Sequence, residues 1–188
     1  MLAATIGHAR LELVEGDITQ EAVDAVVTAA NSELAGGGGV DGAIHRAAGP
    51  ELLRECRKIG GCPPGEAVAT PPGRLPVKFV IHAVGPIYGE NEGRDAALLA
   101  SAHLRSLEVA AAAGCTSIAF PAISCGVYGY PIDQAAQIAL STIRDVLLAR
   151  GPIARVRYCL FGDPTYQVFA AVLRAYAAAD PRIELSGG

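Results

Sequence analysis

Two short stretches, FVIHAV at 79–84 and SIAF at 117–120, are apolar almost from end to end. A strand with one polar face can lie against water, but a strand with no polar face must be covered on both sides. Further β-rich runs at 10–14, 25–29, 67–70 and 156–161 alternate with helical periodicity, and the run that begins at 117 extends to 121. The clearest helix is expected at 131–149, where Ile132, Ala135, Ala136, Leu140, Ile143, Val146 and Leu147 recur at three- and four-residue steps. Pro131 opens it, and Gly151 with Pro152 closes it. Other helices are expected at 42–58, 94–113 and 164–177. Strands that alternate with helices and have no polar face imply an α/β fold with the sheet between helical layers.

The chain has 188 residues, enough for one domain with a sizeable core, and shows neither an internal repeat nor a linker. A single domain over 1–188 is therefore expected, with a frayed tail at about 179–188. Hydrophobic residues make up 51% and charged residues 18%, the balance of a chain that buries a core. The net charge of −4 argues against a general nucleic-acid coat, which needs a basic face. No apolar run reaches the ~18 residues of a membrane span. The start MLAATIGHARLELVEGD lacks a basic region followed by a long apolar stretch, so no secretory signal is read and a cytoplasmic location is expected. Five cysteines without a CxxC pair fit neither a disulfide framework nor a zinc site.

Three loops that follow expected strands have unusual chemistry, at the strand ends where open α/β sheets bind ligands. Gly16-Asp17-Ile18-Thr19 reads as a helix cap, with Asp17 as N-cap. It also reads as a ligand edge, where Asp17 accepts from an exocyclic amine and the Ile18 amide donates to a ring nitrogen. The second loop, NSELAGGGGVDGAIH at 31–45, places Gly37, Gly38, Gly39 and Val40 before a helix, where bare backbone can approach a phosphate. Asp41 could cap that helix. A carboxylate beside an anion cradle is electrostatically unfavourable, and such conflicts are expected at functional sites. The third loop, Ser124-Cys125-Gly126-Val127-Tyr128, precedes the clearest helix and is a second phosphate cradle. Cys125 as a phosphatase thiolate would need an arginine six residues on, where Pro131 stands. No lysine or arginine lies in these loops, so a bound pyrophosphate would be held by backbone dipoles. His45, His82 and His103 are dispersed and read as structural, and no metal spacing emerges.

Taken together, GDIT at 16–19, AANSELAGGGGVDGAIHRAAGPELL at 29–53, LPVKFVIHAVGP at 75–86 and FPAISCGVYGYP at 120–131 resemble the macrodomains, specifically the MacroD-type ADP-ribosyl hydrolases. The resemblance implies a three-layer α/β/α fold with a mixed central sheet of about six strands, and ADP-ribose bound along one edge. It gives Asp17 the adenine amine, and Gly37–Val40 and Ser124–Tyr128 the two phosphates and the distal ribose, with Tyr128 packed beside that ribose. Asn31 and Asp41 match the catalytic pair. Phe161, ending the last strand, is a candidate for adenine contact, with a core role as the alternative.

Two residues depart from the pattern. Thr28 stands where members commonly have asparagine, and Cys125 where they commonly have threonine. The expected activity is removal of ADP-ribose from Asp or Glu side chains and deacetylation of O-acetyl-ADP-ribose, without cofactor or metal. The alternatives are a non-catalytic ADP-ribose reader and a phosphatase acting on ADP-ribose phosphorylated at the distal ribose. The expected partners are ADP-ribose, ADP-ribosylated proteins or O-acetyl-ADP-ribose, with no membrane; nucleic acid enters only as an ADP-ribosylated substrate.

Overall fold

Residues 1–187 are described by a computed structural model. The strands are β1 (Leu2–Ile6), β2 (Ala9–Glu15), β3 (Ala25–Ala29), β4 (Ala67–Thr70), β5 (Phe79–Ala83), β6 (Ser117–Phe120), β7 (Arg155–Leu160) and β8 (Ile183–Ser186). The helices are α1 (Gly39–Ala48), α2 (Pro50–Ile59), α3 (Asp95–Ala112), α4 (Ile132–Leu148) and α5 (Asp163–Ala179). All eight strands join one sheet in the order β4-β5-β3-β6-β7-β2-β1-β8. The five central strands run parallel, and β4, β1 and β8 pair antiparallel at the edges.

Alternation along each strand explains the double coverage. Val27, Ile81, Ile118 and Tyr158 point to one face, where Leu107, Ile143 and Phe169 of α3, α4 and α5 pack. Their neighbours Val26, Val80, Ala119 and Cys159 point to the other, against Ile44, Ala48 and Leu52 of α1 and α2. The result is three layers around a mixed sheet.

The structure corrects three expectations. The sheet has eight strands rather than about six. The unforeseen β1 is LAATI, rich in alanine and poor in β-branched residues, and three of the four residues of β8 are exposed. The end at 179–188 is not frayed over 183–186, because β8 pairs with β1 from Ile6↔Ile183 to Ala3↔Ser186. Residue 188 lies outside the described residues. The helix expected at 42–58 is two helices, divided at Gly49, whose φ of +83° is left-handed, and restarted by Pro50.

The topology opens a crevice beside β3. The chain leaves β3 toward β5 through α1 and α2, and it reaches β6, on the other side of β3, only through α3. β3 pairs with β5 at five positions but with β6 only at Ala25↔Ile118 and Val26↔Ala119. Beyond Val26 the two strands part. The loop after β3 runs to one helical layer and the loop after β6 to the other, the arrangement that forms a binding crevice.

Candidate active site

Asn31 lies two residues beyond β3 and organises the glycine loop with both ends of its amide. Its Nδ2 donates to the Gly36 carbonyl at 2.8 Å, and its Oδ1 accepts from the Ala35 amide at 3.0 Å. Buried Leu34, at φ +54°, pins the turn to the core. The loop then enters α1, whose N-cap, Gly38, makes no side-chain cap, so the first amides of the helix meet no capping side chain.

Asp41 sits in the first turn of α1 with 5% of its surface exposed. The Thr28 hydroxyl donates to its Oδ1 at 2.7 Å, and His45 Nε2, one helical turn on, lies 3.6 Å from the same oxygen. The other oxygen faces the loop. A carbon added to Gly37 would lie 3.9 Å from both Asp41 Oδ2 and Asn31 Nδ2, so the two side chains border one space across that glycine. Burial pushes the Asp41 carboxyl above its usual range, while the Thr28 hydrogen bond and the nearby His45 oppose the rise.

The loop after β6 is held open from behind. Ser124 has φ +65°, in the left-handed region, and its hydroxyl donates to the Pro86 carbonyl at 2.8 Å. The Tyr88 amide donates to the Tyr128 carbonyl at 2.9 Å, joining this loop to the one after β5. Gly126 and Val127 are exposed at the tip, and Tyr128 is half-buried. The Tyr128 phenol is raised first by burial and then by the negative charges of Glu33 and Asp41. Cys125 is half-buried with Sγ 3.6 Å from the Ile123 carbonyl, and burial pushes its thiol up to about 11. A thiol so raised is protonated at neutral pH and is a poor nucleophile.

Asp17 and Phe161 close the far end. Asp17 Oδ1 caps the short turn Ile18–Gln20, accepting from the Thr19 amide at 2.9 Å and its hydroxyl at 2.7 Å. Ile18 is buried beneath them. Phe161 is 92% exposed, which removes the core reading. It lines a shallow cavity with Glu15, Gly16, Asp17 and Gly162. A flat apolar ring and a carboxylate thus flank one recess.

The sequence matches the Macro domain family over residues 27–139. It is 52% identical over 170 residues to the O-acetyl-ADP-ribose deacetylase of Citrobacter rodentium, covering 88% of this chain and 96% of that one. The chain belongs to the macrodomain family. Among solved structures, the Oceanobacillus iheyensis macrodomain with ADP superposes with a TM-score of 0.91 at 40% identity, covering 96% of this chain and 100% of that one. The Trypanosoma brucei macrodomain in complex with ADP-ribose gives 0.80 at 40% identity, covering 86% of this chain and 68% of that one. No helix of this macrodomain is long and apolar enough to cross a membrane among the described residues.

The expected residues of this macrodomain lie in loops at the carboxyl ends of its parallel strands, with Asn31 and Asp41 at the glycine loop after β3 and Asp17 with Phe161 at a recess after β2 and β7. His45 and His82, dispersed in the sequence and read there as structural, come together in a layer behind Asp41. His45 lies four residues after Asp41 on one helical face, a spacing that was there to be read. Behind it, Cys56 Sγ is 3.7 and 3.8 Å from the two ring nitrogens of His82, and His82 Nε2 is 2.9 Å from the Thr70 hydroxyl. His45, Cys56 and His82 have the donor chemistry for zinc. Their directions do not suit it: a sulfur equidistant from both nitrogens lies off either lone-pair axis, and Thr70 already meets one nitrogen. The cluster is a buried polar backing for the Asp41 wall.

Proposed function

We propose that this macrodomain hydrolyses acyl esters of the distal ribose of ADP-ribose, with O-acetyl-ADP-ribose and ADP-ribosylated Asp or Glu side chains as substrates. The observation that carries the reading is the pairing of Asn31 and Asp41 across Gly37. A module that only holds ADP-ribose has no need of a carboxylate buried beside its anion cradle, where its charge works against binding.

In this reading the amides of Gly37 to Val40 and of the Ser124–Tyr128 loop hold the diphosphate, Asp17 takes the adenine amine, and Phe161 lies against the adenine ring. Asn31 presents its remaining N–H and carbonyl lone pair to ribose hydroxyls. Asp41 Oδ2 accepts a proton from water as the water oxygen attacks the ester carbonyl carbon; the bond from that carbon to the ribose oxygen then breaks, and the ribose oxygen takes the proton back from Asp41 and leaves as a hydroxyl, which returns Asp41 to its carboxylate. Burial makes Asp41 a stronger base than a free carboxylate. General-base assistance supplies about 10²–10⁴ of the rate, and positioning by the loops supplies the remainder. No cofactor enters the scheme.

The test is turnover of O-acetyl-ADP-ribose and of a glutamate-linked ADP-ribosyl peptide by the wild type, Asp41→Ala and Asn31→Ala. Both variants are expected to lose most turnover, and Asp41→Ala to keep ADP-ribose binding. Tight binding with no product from either substrate in the wild type would instead make the protein a reader. Phosphate release from ADP-ribose phosphorylated at the distal ribose would make it a phosphatase.

A further inference from the structure

Thr28 is the fourth residue of β3 and has no exposed surface. Its neighbours on the strand are apolar, so a hydroxyl there is costly unless it is hydrogen-bonded. It meets Asp41 Oδ1 at 2.7 Å, and an ionised carboxylate can only accept, so the hydroxyl proton points at Asp41. The two carboxylate oxygens are thereby made different. Oδ1 is held from behind by β3 and by His45 of the same helix, while Oδ2 faces Gly37 and the space beside Asn31. The bond from a fixed strand holds the plane of the carboxylate, so that whichever oxygen Thr28 does not hold is turned toward the loop.

We propose that Thr28 is a positioning residue for hydrolysis, aiming Asp41 Oδ2 at the substrate and holding the carboxylate in its ionised form. The proposal rests on Asp41 being the base. Five groups face or adjoin this carboxylate. They are Thr28 of β3, His45 of α1, Cys56 of α2, His82 of β5 beyond His45, and Tyr128 of the loop after β6. Of these, Thr28 donates its hydrogen bond at every pH, since its hydroxyl does not titrate in the working range. Burial drives Asp41 toward its protonated form and the Thr28 bond drives it back. Removing the hydroxyl therefore lets burial act with less opposition, and the pH needed to ionise Asp41 rises.

The experiment measures kcat/KM for O-acetyl-ADP-ribose against pH in the wild type, Thr28→Val and Thr28→Ser. Valine keeps the shape and removes the donor; serine keeps the donor. A hydrogen bond to a charged group corresponds to about a 10- to 100-fold effect. Thr28→Val should lose activity by that factor below the midpoint of the acid limb, and the limb should move up by about one pH unit or more. Thr28→Ser should restore the limb. The Asp41 carboxyl, followed by carbon-13 NMR in the same variants, should titrate at higher pH in Thr28→Val with no turnover required. An acid limb and an Asp41 titration unchanged by valine would overturn the proposal, since a merely structural role leaves both in place. Failure of the underlying reading looks different: Asp41→Ala would remain active, whatever the Thr28 variants do.

Discussion

Gly42 in α1 faces the Gly37 carbonyl so closely that a Cβ on Gly42 would stand 2.5 Å from that oxygen. No real Cβ tolerates this distance, so the helix and the glycine loop are in register only while residue 42 has no side chain. Gly42→Ala should displace the loop, destabilise the protein by about 1–3 kcal/mol and remove turnover. Gly37→Ala is the opposite case. Its φ is not in the left-handed region, and its Cβ would make ordinary contacts at 3.9 Å. Its melting temperature should stay close to the wild type while kcat/KM falls at least about tenfold, because the methyl fills the space between Asn31 and Asp41. Paired thermal melts and turnover assays check both; an inactive, unfolded Gly37→Ala would refute this account.

Asp41→Asn should be more stable than the wild type and inactive. The folded carboxyl titrates above its unfolded value, so burying it adds stability only below the unfolded value and loses it as pH rises through the folded one. At neutral pH the wild type therefore holds an unfavourable charge, which asparagine removes while still accepting from Thr28. Each kcal/mol recovered should raise Tm by about 2–4 °C. The gain should vanish in acid, where the wild-type carboxyl is protonated too. Calorimetry at neutral and acid pH measures the difference.

Two buried histidines should make the fold acid-sensitive. Burial lowers His82 to about 4, helped by His45, and lowers His103 to about 4 despite the hydrogen bond from its Nδ1 to the Leu99 carbonyl. The unfolded chain takes up protons below about 6.5, the folded chain only near 4, so stability falls as pH drops between those values. The loss approaches about 3 kcal/mol per histidine by linkage. A chemical-denaturation series across that window should show a slope near two protons in Asp41→Asn, and a smaller one in the wild type, whose raised Asp41 carboxyl acts in the opposite sense. His103→Gln should reduce it by one.

Cys125→Ala should keep turnover at saturating substrate within about threefold. Its thiol, raised to about 11, carries little thiolate at neutral pH, and alkylation by iodoacetamide should be correspondingly slow. Loss of all activity in Cys125→Ala, with ADP-ribose binding intact, would restore the thiolate mechanism.

β3, β5 and β6 were legible because their side chains are nearly all apolar on both faces, as with Val80 and Ile81, which enter different layers. β1 and β8 were not, since alanines and exposed residues carry little strand signal and the two edges define each other only by pairing. The break at Gly49-Pro50 was legible and passed over: proline restricts the residue before it away from the helical region. At the site, Asn31, Gly37 and Asp41 were readable as a pattern. The bond from Thr28 to Asp41 spans thirteen positions and depends on how α1 lies against β3, so threonine read only as a departure. Asp17 shows the two readings of one motif to be compatible, because one oxygen caps the turn while the residue itself stays exposed.

The loops at 36–40 and 124–128 contain neither lysine nor arginine. An anion held there exchanges its hydration for amide dipoles fixed by the backbone, not for mobile side-chain cations. Dissolved ions screen separated charges far more than dipoles a few ångströms from their target. Affinity in this crevice should therefore vary little with ionic strength, and selectivity should follow the shape and spacing of the ligand more than its total charge.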